Sequence, residues 1–250
     1  MAVRNFASPS PAGRTRVLVV AGAITGLLAG CSGGGGGLAD KPADEIGRAA
    51  VTAMKSATSL TMRGAITPPT GAASRLRLSV STTGDCSGTI EAVSPPSQVR
   101  VLVVDGASYM KPDHRYLVAN AGGPDRARVT ERKIAGRWLK LDDRSGADEF
   151  KGLCDLDELL AGLDPGKAGA KAEKGDEATV DGRRAIPITD RNGKQTTTAW
   201  VAAEGTPYIL RLESRGGTDT GTITFSDFDS AKRPTSPAPK EYLEMARLNG

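Results

Sequence analysis

"SRLRLSVS", Ser74–Ser81, sets Leu76, Leu78 and Val80 on one side of an extended chain and Arg75, Arg77 and Ser79 on the other. A period of two marks a β-strand with one face in an apolar core and the other in water, as in an antiparallel sheet. The neighbouring segments repeat the pattern. "SLTMRGAI" (59–66) opposes Leu60 and Met62 to Ser59, Thr61 and Arg63. "CSGTIEAV" (86–93) is a weaker strand and "SQVRVLVV" (97–104) a stronger one. "VDGAS" then turns the chain as a hairpin into "SYMKPD", and "GRWLKLDD" (136–143) gives a short extended piece.

Two stretches change the period to that of a helix. Lys41-Pro42-Ala43-Asp44-Glu45 places proline and acids in a first turn. Ile46, Ala50, Met54 and Ala57 then recur at helical spacing, with Ala49 and Val51 widening the stripe to about Ser56. Residues 146–162, "GADEFKGLCDLDELLAG", read as a second helix with Leu153, Leu156, Leu159 and Leu160 on one stripe, stopped by Asp164-Pro165-Gly166. Beyond it, turn signals at Asp181-Gly182, Asn192-Gly193, Glu204-Gly205 and Gly216-Gly217 separate alternating strands. "TTTAWVA" pairs across "EGTP" with "YILRLES" in this meander. "SPAPKEYLEMARLNG" (236–250) reads as a Pro-rich exit with a short terminal helix.

The order is helix, four or five strands, helix, four or five strands, without a βαβ rhythm. It implies an α+β fold: one large curved antiparallel sheet packed on a few helices. The core is built from Leu, Val, Ile and Ala, since only 4% of residues are aromatic.

The first thirty residues stand apart. Arg4, Arg14 and Arg16 precede the uncharged run Val17–Gly30, "VLVVAGAITGLLAG", and no acid occurs before Asp40. A basic start and an apolar run of about 7–15 residues describe a secretory signal; a membrane-spanning helix needs about 20. Leu28-Ala29-Gly30-Cys31 resembles the lipobox of bacterial lipoproteins, which implies a diacylglyceryl group on Cys31 and cleavage before it. The glycines that follow, Gly33 to Gly37, form a tether rather than a dinucleotide loop, which needs a strand before it and a helix after it. The chain thus divides into a signal (1–30), a lipidated cysteine and tether (31–40), one domain (41–232) and a Pro-rich tail (233–250).

Charge follows from this division. The chain holds 33 basic and 29 acidic residues, and losing Arg4, Arg14 and Arg16 leaves 30 against 29. A nearly neutral domain argues against a nucleic-acid partner. Two further cysteines, Cys86 and Cys154, make an even pair that reads as a disulfide outside the cytoplasm, with two buried thiols as the alternative. One histidine and no Cys-x-x-Cys pair leave no metal site. His114 sits in a polar turn with no nucleophile assigned to it, and Asp155, Asp157 and Glu158 read as the wet face of a helix. No nucleophile elbow or P-loop occurs, so no cofactor or enzymatic role is expected. Trp138 and Trp200 read as core or strand residues, with the lining of a pocket as the alternative.

The lipobox, the helix and the curved meander together resemble actinobacterial lipoproteins of the LppX/LprG type, half-barrels grouped with the LolA and LolB carriers. The matching stretches are Ala43–Met62, "GASYMK", "GRWLKLDD", "CDLDELL" and "AWVAAEGTPYILRLES…GTITFSDFD", with Trp200, Pro207, Tyr208 and Phe225. The resemblance implies a domain held by its lipid at the outer face of the cell membrane. Its sheet would enclose a cavity for a lipid or lipoprotein ligand. Candidate lining residues are Ile46, Ala50 and Met54 on the first helix and Leu76, Leu78, Val80, Val101 and Val103 on the strands. The rival reading is a protein-interaction module with a filled core.

Overall fold

The structure, a computed structural model, describes residues 37–67, 73–143, 146–161, 163, 172–217 and 220–248. Cys31 and the apolar run before it lie outside these residues.

A large, open, curved sheet dominates. Its first half is a meander of β1 (Ser59–Thr67), β2 (Ser74–Ser81), β3 (Cys86–Ala92), β4 (Ser97–Val104) and β5 (Ala107–Pro112), followed by β6 (Trp138–Lys140). Its second half comprises β7 (Glu173–Lys174), β8 (Ala178–Val180), β9 (Arg183–Asn192), β10 (Gln195–Ala202), β11 (Ile209–Arg215) and β12 (Thr220–Ser226), and β13 is Tyr242–Glu244. The spatial order is β13-β6-β5-β4-β3-β2-β1-β12-β11-β10-β9-β7, with β8 on β9. The two meanders therefore meet in the β1–β12 ladder, where Met62 faces Phe225 and Gly64 faces Ile223. All pairs are antiparallel except β13 with β6.

Five helices occur among the described residues. α1 (Ala43–Ser56) carries Ile46, Ala50, Val51 and Met54 buried against β9, β10 and β11. Its polar side is laced by Lys41–Glu45 and Arg48–Asp44 pairs at 2.9 and 2.7 Å, as i,i+4 spacing allows. α2 (His114–Asn120) and α3 (Pro124–Ile134) pack on each other, and α2 also meets β4. Neither helix is visible in the apolar periodicity. Among residues 124–134 only Ala127 and Ile134 are buried; the helix is set by its ends, with Pro124 and Asp125 in the first turn and left-handed Ala135 and Gly136 after the last. His114 thus opens a helix rather than lying in a turn, with Asp113 accepting the Tyr116 amide as cap at 2.7 Å.

The expected helix over 146–162 is two: α4 (Ala147–Cys154) and α5 (Leu156–Leu160). Asp155 adopts extended backbone between them and caps α5 by accepting the Glu158 amide at 3.0 Å. This break resets the phase of the leucine stripe. Leu156 and Leu160 are buried, while Leu153 and Leu159 are exposed.

Both ends of the described residues join the domain. Leu38 and Ala39, in the expected tether, pack against the core, and Lys174 Nζ donates to the Ala39 and Lys41 carbonyls. In the expected tail, Tyr242–Glu244 adds a parallel strand to β6, and Met245–Arg247 closes as a 3-10 turn.

Candidate functional site

The inner, helix-bearing face of the sheet holds the main core. Leu60 and Met62 of β1, Leu78 and Val80 of β2, Val101 and Val103 of β4, and Ile186, Ile188 and Val201 of β9 and β10 form one apolar cluster with α1. Each such side chain contributes roughly 1.5–3 kcal/mol by leaving water.

Ile46, Ala50, Met54, Leu78, Val80, Val101 and Val103 are buried within this cluster, and Leu76 packs on it partly exposed. The structure brings the candidate lining residues together, as neighbours in a packed helix–sheet interface. Cys86 of β3 and Cys154 of α4 are joined in a disulfide, with Cα atoms 5.4 Å apart. It fixes a helix to the sheet across 68 residues of chain.

Along β1 the inner face opens. Leu60 is fully buried, Met62 is 6% exposed, and Ile66 is 37% exposed. Where the cover thins, a pocket of about 190 Å³ lies between Ile66, Thr67, Leu212, Ser214, Thr220, Gly221 and Ile223. Its geometry follows from register. Gly221 stands opposite both Ile66 and Ser214, and Ile223 opposite both Gly64 and Leu212. Gly221 presents no side chain to this face, so the apolar neighbours frame a hollow instead of filling it. A Cβ there would collide with the Ala65 carbonyl, and one at Gly64 with that of Thr222. Close approach of β1 and β12 thus requires the residue that leaves the gap. The sequence signal was present in "GAIT" and "GTIT", where glycine takes an inward place in an alternating strand, and it was missed because glycine has no place on an apolar stripe.

The polar residues weighed from the sequence do not assemble. His114 Nδ1 lies 3.0 Å from Glu131 on the solvent side of α2 and α3. Asp155 is committed to its cap. Trp138 and Trp200 both lie on the outer face, Trp138 below Arg100 and Lys111 and Trp200 below Arg211. Among the described residues, no group of three or more His, Cys, Asp or Glu could hold a metal ion, and no helix is long and apolar enough to cross a membrane.

An open curved sheet with helices on one face has a solved counterpart. Superposition on the crystal structure of LprF from Mycobacterium bovis covers 79% of this chain and 96% of that one, at 13% identity and a TM-score of 0.55. The chain shares the LprF fold. The lipoprotein LppX from Mycobacterium tuberculosis aligns over 76% of this chain and 96% of its own, at 13% identity and a TM-score of 0.37. A LolA superfamily protein from Nitrosomonas europaea aligns over 78% and 96%, at 10% identity and a TM-score of 0.24. Both superpose too loosely to add to the LprF likeness. No family model and no curated protein sequence matches the chain. In the LprF-like sheet the pocket sits on the inner face of the β1–β12–β11 seam, where the two meanders join.

Proposed function

We propose that this chain is a lipid-anchored, extracytoplasmic, non-enzymatic lipoprotein that carries an apolar ligand, such as a lipid acyl chain, on the inner face of its sheet. The observation that carries this reading is the run of burial along β1, from a closed core at Leu60 to an apolar hollow at Ile66. A pocket of about 190 Å³ is smaller than the roughly 300 Å³ at which drug-sized sites begin. It suits one end of an acyl chain, with the headgroup left in water. The likeness to LprF supports the fold on which the reading stands. Cys31 supplies the anchor, and the glycines after it supply reach between membrane and domain.

A second reading rests on the packing of Ile46, Ala50 and Met54. With that interface closed, the domain could present its surface to another protein and carry no lipid. Two experiments separate the elements of the proposal. Metabolic labelling with palmitate should mark the wild-type chain and not Cys31→Ala. A fluorescent fatty-acid analogue should bind the purified chain and be displaced by natural lipids. Failure to label removes the anchor, and failure to bind removes the cargo and favours the interaction module.

A further inference from the structure

We propose that the outer face of the sheet docks on an anionic lipid bilayer through a row of cations that crosses both meanders. This goes beyond the carrier reading, which concerns the opposite face and needs no charge. The row follows from register. Arg211 stands opposite Thr224, Thr224 opposite Arg63, Arg63 opposite Arg77, Arg77 opposite Thr89, Thr89 opposite Arg100, and Arg100 opposite Lys111. Five cations and two threonines thus occupy one line across seven adjacent strands. At about 4.8 Å per strand the line is about 29 Å long. No acid interrupts it.

The charges on this line are largely uncompensated. Arg63, Arg77, Arg100 and Lys111 have no carboxylate within ion-pair distance among the described residues. Arg211 alone is paired, to Glu213 at 3.3 Å, and its Nε has no hydrogen-bond partner. One register step away the acids are Glu91, opposite Arg75 and accepting from Gln98, and Glu213, held by Arg211 and Arg215. Two arginines directly across a ladder, as Arg63 and Arg77 are, repel and weaken the sheet. In a domain with nearly as many acids as bases, this line concentrates one sign.

The occupant is argued from charge and from the row's surroundings. Planar guanidinium groups bind phosphate oxygens in bidentate fashion, and cations near an anionic leaflet gain from its surface potential. A protein partner would instead need a desolvated apolar centre. Among the described residues, the exposed large apolar side chains are Ile66, Val129, Leu153 and Leu159, and none lies on the row. Its two ends are marked by Trp200, opposite Arg211, and Trp138, under Arg100 and Lys111. Tryptophan is the side chain that favours the headgroup level. Docked in this way, the domain presents its inner face, and the pocket, away from the bilayer.

The chain's two tryptophans give a direct readout. The full chain is incubated with vesicles of phosphatidylcholine alone, or of equimolar phosphatidylcholine and phosphatidylglycerol, each holding a trace of headgroup-dansylated lipid. The anchor segment is common to both, so tryptophan-to-dansyl energy transfer reports the approach of the outer face. Transfer should rise on the anionic vesicles at low salt, fall back at high salt, and show no rise in R63Q/R77Q/R100Q. Should the triple variant not fold, Arg63→Gln alone, which relieves a like-charge pair, should give a partial loss. Equal transfer on both vesicle types, or a rise that survives the triple variant, overturns the proposal. Salt-sensitive binding to polyglutamate with no vesicle effect also overturns it, in favour of an acidic protein. None of these outcomes bears on ligand binding at Ile66, so failure here is distinguishable from failure of the carrier reading.

Discussion

Arg233 reaches into the sheet and donates from Nε to the buried carboxylate of Asp85 at 2.6 Å. Its Nη2 donates to Asp105 at the same distance. One guanidinium therefore ties the segment after β12 to the β2–β3 turn and to the β4–β5 turn. Asp85 also accepts the Asp105 amide and the Thr83 hydroxyl. This clasp is why residues read from sequence as a tail belong to the domain.

Asp85 makes a pH prediction with a definite sign. Burial by itself would raise its carboxyl, but the Arg233 hydrogen bond, the Asp105 amide and the Thr83 hydroxyl together hold it below the ordinary value of 3.8. A carboxyl depressed in the folded state stabilises fully above its unfolded value, and that contribution is lost as pH falls through the folded one. Stability should be flat at neutral pH and decline below about pH 4. Arg233→Ala should lower stability at neutral pH, moderately because the guanidinium is largely exposed and its pairing is screened by water. Urea unfolding of both proteins at pH 7 and pH 3 checks this; the difference between them should shrink at the lower pH.

A second clasp titrates from both sides. Tyr208 donates its hydroxyl to Asp229 at 2.5 Å, Asp229 also accepts the Thr58 amide and hydroxyl, and the Tyr208 ring stacks on Phe228. The hydrogen bond to Tyr208 lowers the Asp229 carboxyl, and the same bond raises the Tyr208 phenol above 10.0. The carboxylate contribution is lost in acid. The phenol contribution is present below pH 10 and lost as pH rises through the raised value. Tyr208→Phe should cost about 1 kcal/mol and flatten the alkaline limb of a stability–pH curve.

Cys86 and Cys154 are both buried. A closed loop of this length should contribute about 4 kcal/mol on the chain-entropy model. The folded protein should resist mild thiol reductants, and reduction should become fast only in denaturant. Comparing denaturation midpoints of the oxidised and reduced chain measures the contribution. A difference below about 1 kcal/mol would mean that the bridge does not constrain the unfolded chain as that model requires.

At the pocket, Ile66→Asp replaces an apolar wall by a charge at a partly exposed site. Fatty-acid analogue affinity should fall by about tenfold or more, the equivalent of losing apolar burial of roughly 1.5–3 kcal/mol. Thermal stability should change little, since Ile66 contributes little to the core. Met54→Ala in the closed core should do the reverse, costing about 2–5 kcal/mol of stability with little effect on affinity.

The sequence was most legible where one physical signal acted alone. Alternation placed β1, β2 and β4 with the right face inward, because a half-buried strand cannot hide its period. Proline, acids and the Ile46–Met54 spacing placed α1. α3 was missed because its surface is charged all round and only its ends announce it. The break at Asp155 was missed because a capping aspartate inside a leucine-rich stretch looks the same as a surface one. The parallel pairing of Tyr242–Glu244 with Trp138–Lys140 joins segments a hundred residues apart, which no local pattern encodes. The candidate cavity residues fall in one packed cluster, but alternation alone does not show which part of the inner face stays open. Gly221 and Ile66 decide that, and their meaning appears only when β1 and β12 are laid side by side.

The central claim, an apolar ligand carried on the inner face, is tested most directly by native mass spectrometry of the purified chain. Wild type should show, beside its own mass, a species heavier by one acyl lipid that organic extraction removes and that is diminished in Ile66→Asp. A single mass equal to the chain and its covalent modification, unchanged after incubation with lipid, would contradict the account.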